Sequence, residues 1–291
     1  MARLARDFQF SQASLQDFVD CPRRFQLRYV LDVAWPALEA EPALEHERHM
    51  QQGAAFHRLV HQHILGLPVE RLWRVVRDAA DPDLERWWRN YLEAAPPDLP
   101  PRRYPEVVLS APVGGPPSGD APSGGHRLVA KYDLLAAEPR ARVVIVDWKT
   151  TRRRASRRWL LERLQTTVYR YVLALAGAHL NGGDPVQPEQ VEMRYWFADA
   201  PHDPERLPYD AAQFEADRAR LAALVADIQR REGDAAFPLT DDTQRCRFCP
   251  YRSLCGRGKE AGALDEADVI EDEREAGVFD FDFDQVAEIE F

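Results

Sequence analysis

The run Val143-Val144-Ile145-Val146, closed by Asp147-Trp148-Lys149, constrains this chain more than any other stretch. Four consecutive β-branched apolar residues fit a strand buried on both faces, and such a strand needs other elements above and below it. With 291 residues, 45% of them hydrophobic, the chain is long enough to supply that cover. Side chains alternate along a strand, so Asp147 and Lys149 share a face while Trp148 takes the other. An acid and a lysine therefore stand together at the mouth of a buried strand. The lysine is informative, because only Lys131, Lys149 and Lys259 of the 38 basic residues are not arginine.

The flanking pattern defines the fold class. Residues 11 to 30 read as helix, with Ser11 or Ser14 as cap and an interruption at Cys21-Pro22. Gly53 to Leu65 is a second helix, and segments 69 to 78 and 82 to 94 follow before the turn-forming run Pro96 to Pro101. Glu106 to Val113 reads as strand, 114 to 125 as a Gly/Pro/Ser-rich hairpin loop, and His126 to Ala137 and Arg142 to Lys149 as two more strands. Helix from Arg157 to Leu180, strand from Val191 to Ala198 and helix from Ala211 to Arg231 complete the order. This predicts an α/β domain with a mixed sheet. Four segments are expected: a helical 1–47 with the first cysteine, a core over 48–200, a helix and cysteine segment over 201–259, and a disordered acidic tail over 260–291.

The net charge of −10 is unevenly spread. Past Lys259 lie 13 of the 48 acids and a single base, Arg274, which leaves 35 acids against 37 bases in the body. Arg152, Arg153, Arg154, Arg157 and Arg158 follow directly after Lys149, where they suit sequence-independent phosphate contacts or form a solvated loop. The tail alternates acids with rings in Phe279-Asp280-Phe281-Asp282-Phe283-Asp284, which could imitate a nucleic-acid strand or dock a protein partner. No apolar run reaches the roughly 18 residues of a spanning helix and no secretory signal pattern opens the chain, so a soluble, cytoplasmic protein without a membrane partner is expected.

Asp133, in the second strand, is the natural companion of Asp147. Two carboxylates from neighbouring strands can hold a hard cation such as Mg²⁺ or Mn²⁺, and a lysine beside it can position water and stabilise charge developing at phosphorus. The plainer reading makes each Asp a turn or cap residue. The cysteines, Cys21 and the cluster Cys246-x2-Cys249-x5-Cys255, carry a separate metal signal in which zinc and an iron–sulfur cluster both remain open.

Asp133, then Asp147-x-Lys149, then Gln165-x3-Tyr169 resembles the PD-(D/E)XK nuclease superfamily, in its RecB-like branch. His57, within Gly53-Ala54-Ala55-Phe56-His57-Arg58, matches the helix motif that supplies a further metal ligand in that branch. The resemblance implies a restriction-endonuclease-like core of order αβββαβ with flanking helices. Asp133, Asp147 and Lys149 would be catalytic, with Gln165 and Tyr169 lining the site, His57, Asp133 and Asp147 as Mg²⁺ or Mn²⁺ ligands, and Lys131 standing in for the family's arginine as a DNA contact. Cys21-Pro22-Arg23-Arg24-Phe25 and the C-terminal cysteines are similar to the 4Fe-4S staple of AddB-type nucleases and CRISPR-associated Cas-four exonucleases. The implied activity is a metal-dependent deoxyribonuclease, an exonuclease on single strands or DNA ends in repair, recombination or CRISPR spacer acquisition, with possible protein partners in such a complex. The competing function is a non-catalytic DNA-binding or scaffold subunit that keeps the nuclease fold.

Overall fold

The computed structural model describes residues 3–5, 7–33, 40–113, 126–151, 154–233 and 237–258. The chain opens with strand β1 (Gln9–Ser11) and helix α1 (Gln12–Asp20). Ser11 caps α1 through a reciprocal bond with Ser14, which satisfies two donors that the first turn would otherwise leave open. Cys21 is extended and ends α1; Pro22 then starts the short helix α2 (Pro22–Phe25), which runs into a π-helical turn at Gln26–Val30. Helices α3 (Ala40–Ile64), α4 (Val69–Ala79) and α5 (Pro82–Ala94) precede the sheet. The sheet strands are β2 (Arg102–Pro112), β3 (Arg127–Glu138), β4 (Arg142–Lys149), β5 (Val191–Phe197) and β6 (Ala200–Pro208). Between β4 and β5 come α6 (Arg157–Glu162) and α7 (Leu164–Ala176), and α8 (Ala211–Gly233) follows β6.

The sheet is mixed. β1 runs parallel to β3 and β5 parallel to β4, whereas β2 with β3, β3 with β4 and β5 with β6 are antiparallel. β2 covers one edge of β3 along its length, so β1 and β4 share the other edge. β1 ends opposite Val129 and β4 begins opposite Leu134. The stretch Ala130 to Asp133 between them has no strand neighbour on that edge among the described residues. Here the sheet opens.

Two layers cover it. On one face Leu128, Tyr132, Val143 and Ile145 meet Phe18, Leu164, Val168, Val172 and Leu221, from α1, α7 and α8. On the other, Leu134, Val144, Val146, Trp148 and Trp196 meet Phe56, Val60, Leu72, Trp87 and Trp88, from α3, α4 and α5. Phe56 stacks on Trp196 with ring centroids 6.0 Å apart. The apolar run of β4 is thus sandwiched as its composition requires, and no helix among the described residues is long and apolar enough to cross a membrane.

Several expectations need correction. β2 begins at Arg102, earlier than the predicted Glu106, because an edge strand tolerates Pro105, which read as a turn residue. β6, with Pro201, Pro204 and Pro208, went unpredicted for the same reason. β1 is not predicted, and only its last residue, Ser11, falls within the helix expected from residue 11. The predicted helix over 157–180 is broken at Arg163, whose backbone is extended, with no proline or glycine to signal it. α3 starts at Ala40 rather than Gly53, since its first turns lack apolar periodicity. The segment boundaries at 47/48 and 200/201 consequently fall inside α3 and at the start of β6. The loop 114–125 and the tail 260–291 lie outside the described residues.

Arg194, fully buried on β5, donates to both carboxylate oxygens of Asp98 at 2.6 and 3.0 Å and also to Glu192, which pins the 96–101 turn to the sheet. These hydrogen bonds hold the Asp98 carboxyl down at about 2; partial burial opposes them, and the charges of Arg194 and Arg206 add to them. An unfolded Asp titrates near ~3.9, so this stabilisation is fully present above that pH and is lost as pH falls through about 2. Urea midpoints between about pH 5 and pH 2 should therefore fall less steeply for Asp98→Asn than for the parent chain. Equal slopes would show that the Asp98–Arg194 bonds do not contribute.

Candidate active site

The opening in the β3 edge is where the candidate residues meet. Lys149 Nζ lies 3.1 Å from Asp147 Oδ2, and both side chains are buried. The Gln165 amide, in the first turn of α7, ties them together. It donates from Nε2 to Asp147 Oδ1 at 2.8 Å and accepts from Lys149 Nζ at Oε1, 3.2 Å away. A buried acid, a buried cation and an amide that satisfies both form a closed polar triad, the arrangement in which buried charge is tolerated.

Asp133 lies one residue beyond the last β3–β4 pair, Leu134 and Val146. Its Oδ2 accepts from the Trp148 N–H at 2.9 Å, in place of the ladder bond lost where the strands part, and its Oδ1 faces His57 Nδ1 of α3 at 3.4 Å. Burial pushes the Asp133 carboxyl upward, but the charge and hydrogen bond of His57, the Trp148 N–H and Lys149 outweigh it and leave it below the usual range. Asp147 and Lys149 are thus served by α7 from one layer, and Asp133 by α3 from the other.

Tyr169, one turn after Gln165, sits with its ring 5.0 Å from that of Tyr132. Burial, with the charges of Asp147 and Asp133, raises its hydroxyl far above the ordinary tyrosine value, so it stays protonated. The Tyr132 hydroxyl in turn bonds the Tyr169 carbonyl at 2.9 Å.

The basic residues are placed in ion pairs. Lys131 meets Glu106, which adopts φ +55° in β2 where the ladder skips opposite Asp133. Arg154 and Arg157 both meet Glu205 of β6, and Arg158 meets Glu162 at 2.9 Å. Arg152 and Arg153 lie outside the described residues. Sequence reasoning missed Glu106 and Glu205, since isolated acids in strands carry no signal until register is known. It also missed Tyr195, paired in register with Asp147, whose hydroxyl bonds Thr166 Oγ1 at 2.7 Å and reaches Gln165 Oε1 at 3.5 Å.

Cys21, Cys246, Cys249 and Cys255 line one cavity together with Arg24, Arg245, Arg252 and Arg257. Burial raises the Cys246 thiol, with Arg257 opposing and Cys21 adding; burial and the neighbouring Cys21 raise Cys255. The terminal segments also meet through protein contacts. The Arg23 N–H donates to Pro238 O at 3.1 Å, Arg245 pairs with Asp20, and the Tyr251 hydroxyl donates to Val33 O at 3.1 Å.

The donor types suit both metal groups. Two carboxylates and an imidazole match a hard cation, and four thiols on one cavity match a thiophilic centre. Among the described residues, however, no three His, Cys, Asp or Glu side chains stand close enough to hold a single metal ion. At the sheet opening this follows from the bonds just given, which engage Asp133 and Asp147 with their neighbours.

A mixed α/β sheet whose buried central strand ends in an acid and a lysine, beside a second acid on its neighbour, is consistent with a restriction-endonuclease-like core. The chain belongs to the PD-(D/E)XK nuclease superfamily, whose family model matches residues 9–256. Among solved structures it is similar to the crystal structure of SSO0001 (TM-score 0.37, 11% identity, covering 87% of this chain and 88% of that one). It is also similar to a "Putative exonuclease" from Eubacterium rectale (TM-score 0.46, 9% identity, covering 80% and 85%). Comparison with curated proteins returns no match.

Proposed function

We propose that the chain is a metal-dependent deoxyribonuclease of the RecB-like branch, an exonuclease on single-stranded DNA or DNA ends that serves repair, recombination or CRISPR spacer acquisition. The observation that carries this reading is the Gln165 amide bonded to both Asp147 and Lys149 at the sheet opening, with Asp133 and His57 beside it. Asp133, Asp147 and His57 would hold Mg²⁺ or Mn²⁺, which when bound supplies charge neutralisation at the phosphate and an acidified water. The Lys149 ammonium lies 3.1 Å from Asp147, where it can orient that water and offset the charge that develops on the phosphate oxygens. Gln165 fixes the ammonium, and the protonated Tyr169 offers a hydroxyl to the same space. Lys131, Arg154, Arg157 and Arg158 would exchange their acidic partners for backbone phosphates, which gives binding without sequence preference.

The four cysteines would hold a 4Fe-4S cluster. The four thiols line one cavity, which suits a thiophilic centre, and the likeness of Cys21-Pro22-Arg23-Arg24-Phe25 and the C-terminal cysteines to the 4Fe-4S staple supports the cluster over zinc.

One observation favours the alternative of a non-catalytic DNA-binding subunit: the acids of the site are already bonded to their neighbours. Labelled linear and circular DNA, single- and double-stranded, incubated with Mg²⁺, Mn²⁺ or chelator, separates the readings. The nuclease should shorten linear substrates from their ends only with metal and leave circles intact. Binding without cleavage under every condition would establish the alternative, and nicked circles would replace exonuclease by endonuclease.

A further inference from the structure

Helix α7 begins without a cap of its own: Arg163, the residue before it, makes no side-chain bond to the first turn. The open N–H of Leu164 is taken up from another element, for it donates to the Gln16 side-chain carbonyl of α1 at 3.5 Å. The other end of the same amide, Gln16 Nε2, donates to Asp20 Oδ1 at 2.8 Å. Asp20 is almost fully buried and also accepts from Arg24 at 2.8 Å and from Arg245. Those two arginines line the four-cysteine cavity. Leu164 directly precedes Gln165, whose amide bonds Asp147 and Lys149. A continuous line of buried polar groups thus joins the cysteine cavity to the active-site triad through Asp20, Gln16 and the head of α7.

We propose that Gln16 is a positioning residue for Gln165, and that through Asp20 it makes the placement of the active-site amide depend on the packing of the four-cysteine segment. This rests on the nuclease reading for its consequence in rate. The geometry is specific in what it requires: both ends of the Gln16 amide are used, one toward each site, so removing either contact loosens the link without touching substrate. A displaced Gln165 would leave the Asp147–Lys149 pair in place and lose its orientation, which lowers turnover rather than binding.

The test is a double-mutant cycle between Gln16→Ala and Gln165→Ala in the full-length chain, following kcat and KM on labelled DNA, iron content, and amide exchange at Leu164. Gln16→Ala should retain its iron, lower kcat about tenfold with KM nearly unchanged, and add no further loss in the Gln165→Ala background. Leu164 exchange should accelerate in Gln16→Ala, and also in Asp20→Asn, while the amides of β4 keep their protection. Unchanged exchange at Leu164, or losses that multiply in the double variant, would overturn the proposal. If the parent chain cleaves nothing, the nuclease reading fails on its own, and the Leu164 exchange still decides whether Gln16 positions α7.

Discussion

Lys149→Met and Asp147→Asn should each lower metal-dependent cleavage by at least about 10³-fold, the scale on which a group that stabilises developing charge acts. Both side chains are buried and bonded to each other, so each single variant also strands a charged partner, which costs about 3–5 kcal/mol of folding stability. Loss of activity in a single variant therefore does not distinguish a catalytic residue from a damaged fold. The double variant Asp147→Asn/Lys149→Met restores neutrality within a nearly unchanged volume. Most of the stability should return, and none of the activity. Urea unfolding followed in parallel with cleavage reads both quantities. Recovery of cleavage in the double variant would remove the pair from the chemistry.

The second large effect concerns iron. Protein purified without oxygen should carry about four irons per chain and absorb broadly near ~400 nm, and Cys246→Ala should lose both signatures. Ligation energy is folding energy for the segment that supplies the ligands, so that segment should loosen. The Asp20–Arg245 pair, the Tyr251–Val33 bond and the Arg23–Pro238 bond also tie the termini together and do not depend on a metal. Loss of the cluster should consequently open residues 237–258 to limited proteolysis while the sheet and its two helical layers remain resistant. One zinc and no iron per chain would replace the cluster by a structural zinc site.

The sequence made the centre of this molecule legible and its edges obscure. Val143 to Lys149 announces a doubly buried strand because four β-branched residues admit little else, and β4 occupies those residues. Asp147 and Lys149 share a face as the alternation of β4 implies, and Gln165 reaches both from α7, where the family resemblance puts it. The edge strands β2 and β6 were hidden by proline, which costs a central strand a ladder bond but leaves an edge intact. The break at Arg163 carries no proline or glycine, and the Leu164 N–H that it leaves open meets Gln16 of α1, nearly 150 positions away, a contact that no local pattern encodes. Glu106 and Glu205 became visible only once register put them beside Lys131 and the arginines after β4.

Because Asp20 meets Arg245 across 225 positions, the cysteine site is assembled from the first and last parts of this stretch to leave the ribosome. At roughly 5–20 residues per second, on the order of 10–50 s separates the emergence of Cys21 from that of its partners. β1 waits as well, for its partner strand β3 begins more than a hundred positions later. The α1–α2 segment, with Arg24 already able to pair with Asp17 and Asp20, must stay available through that interval. Closure of the site is therefore a late event in biosynthesis, and a nascent chain halted before Cys246 presents a sheet with β4 complete and the clasp around the cysteines unmade.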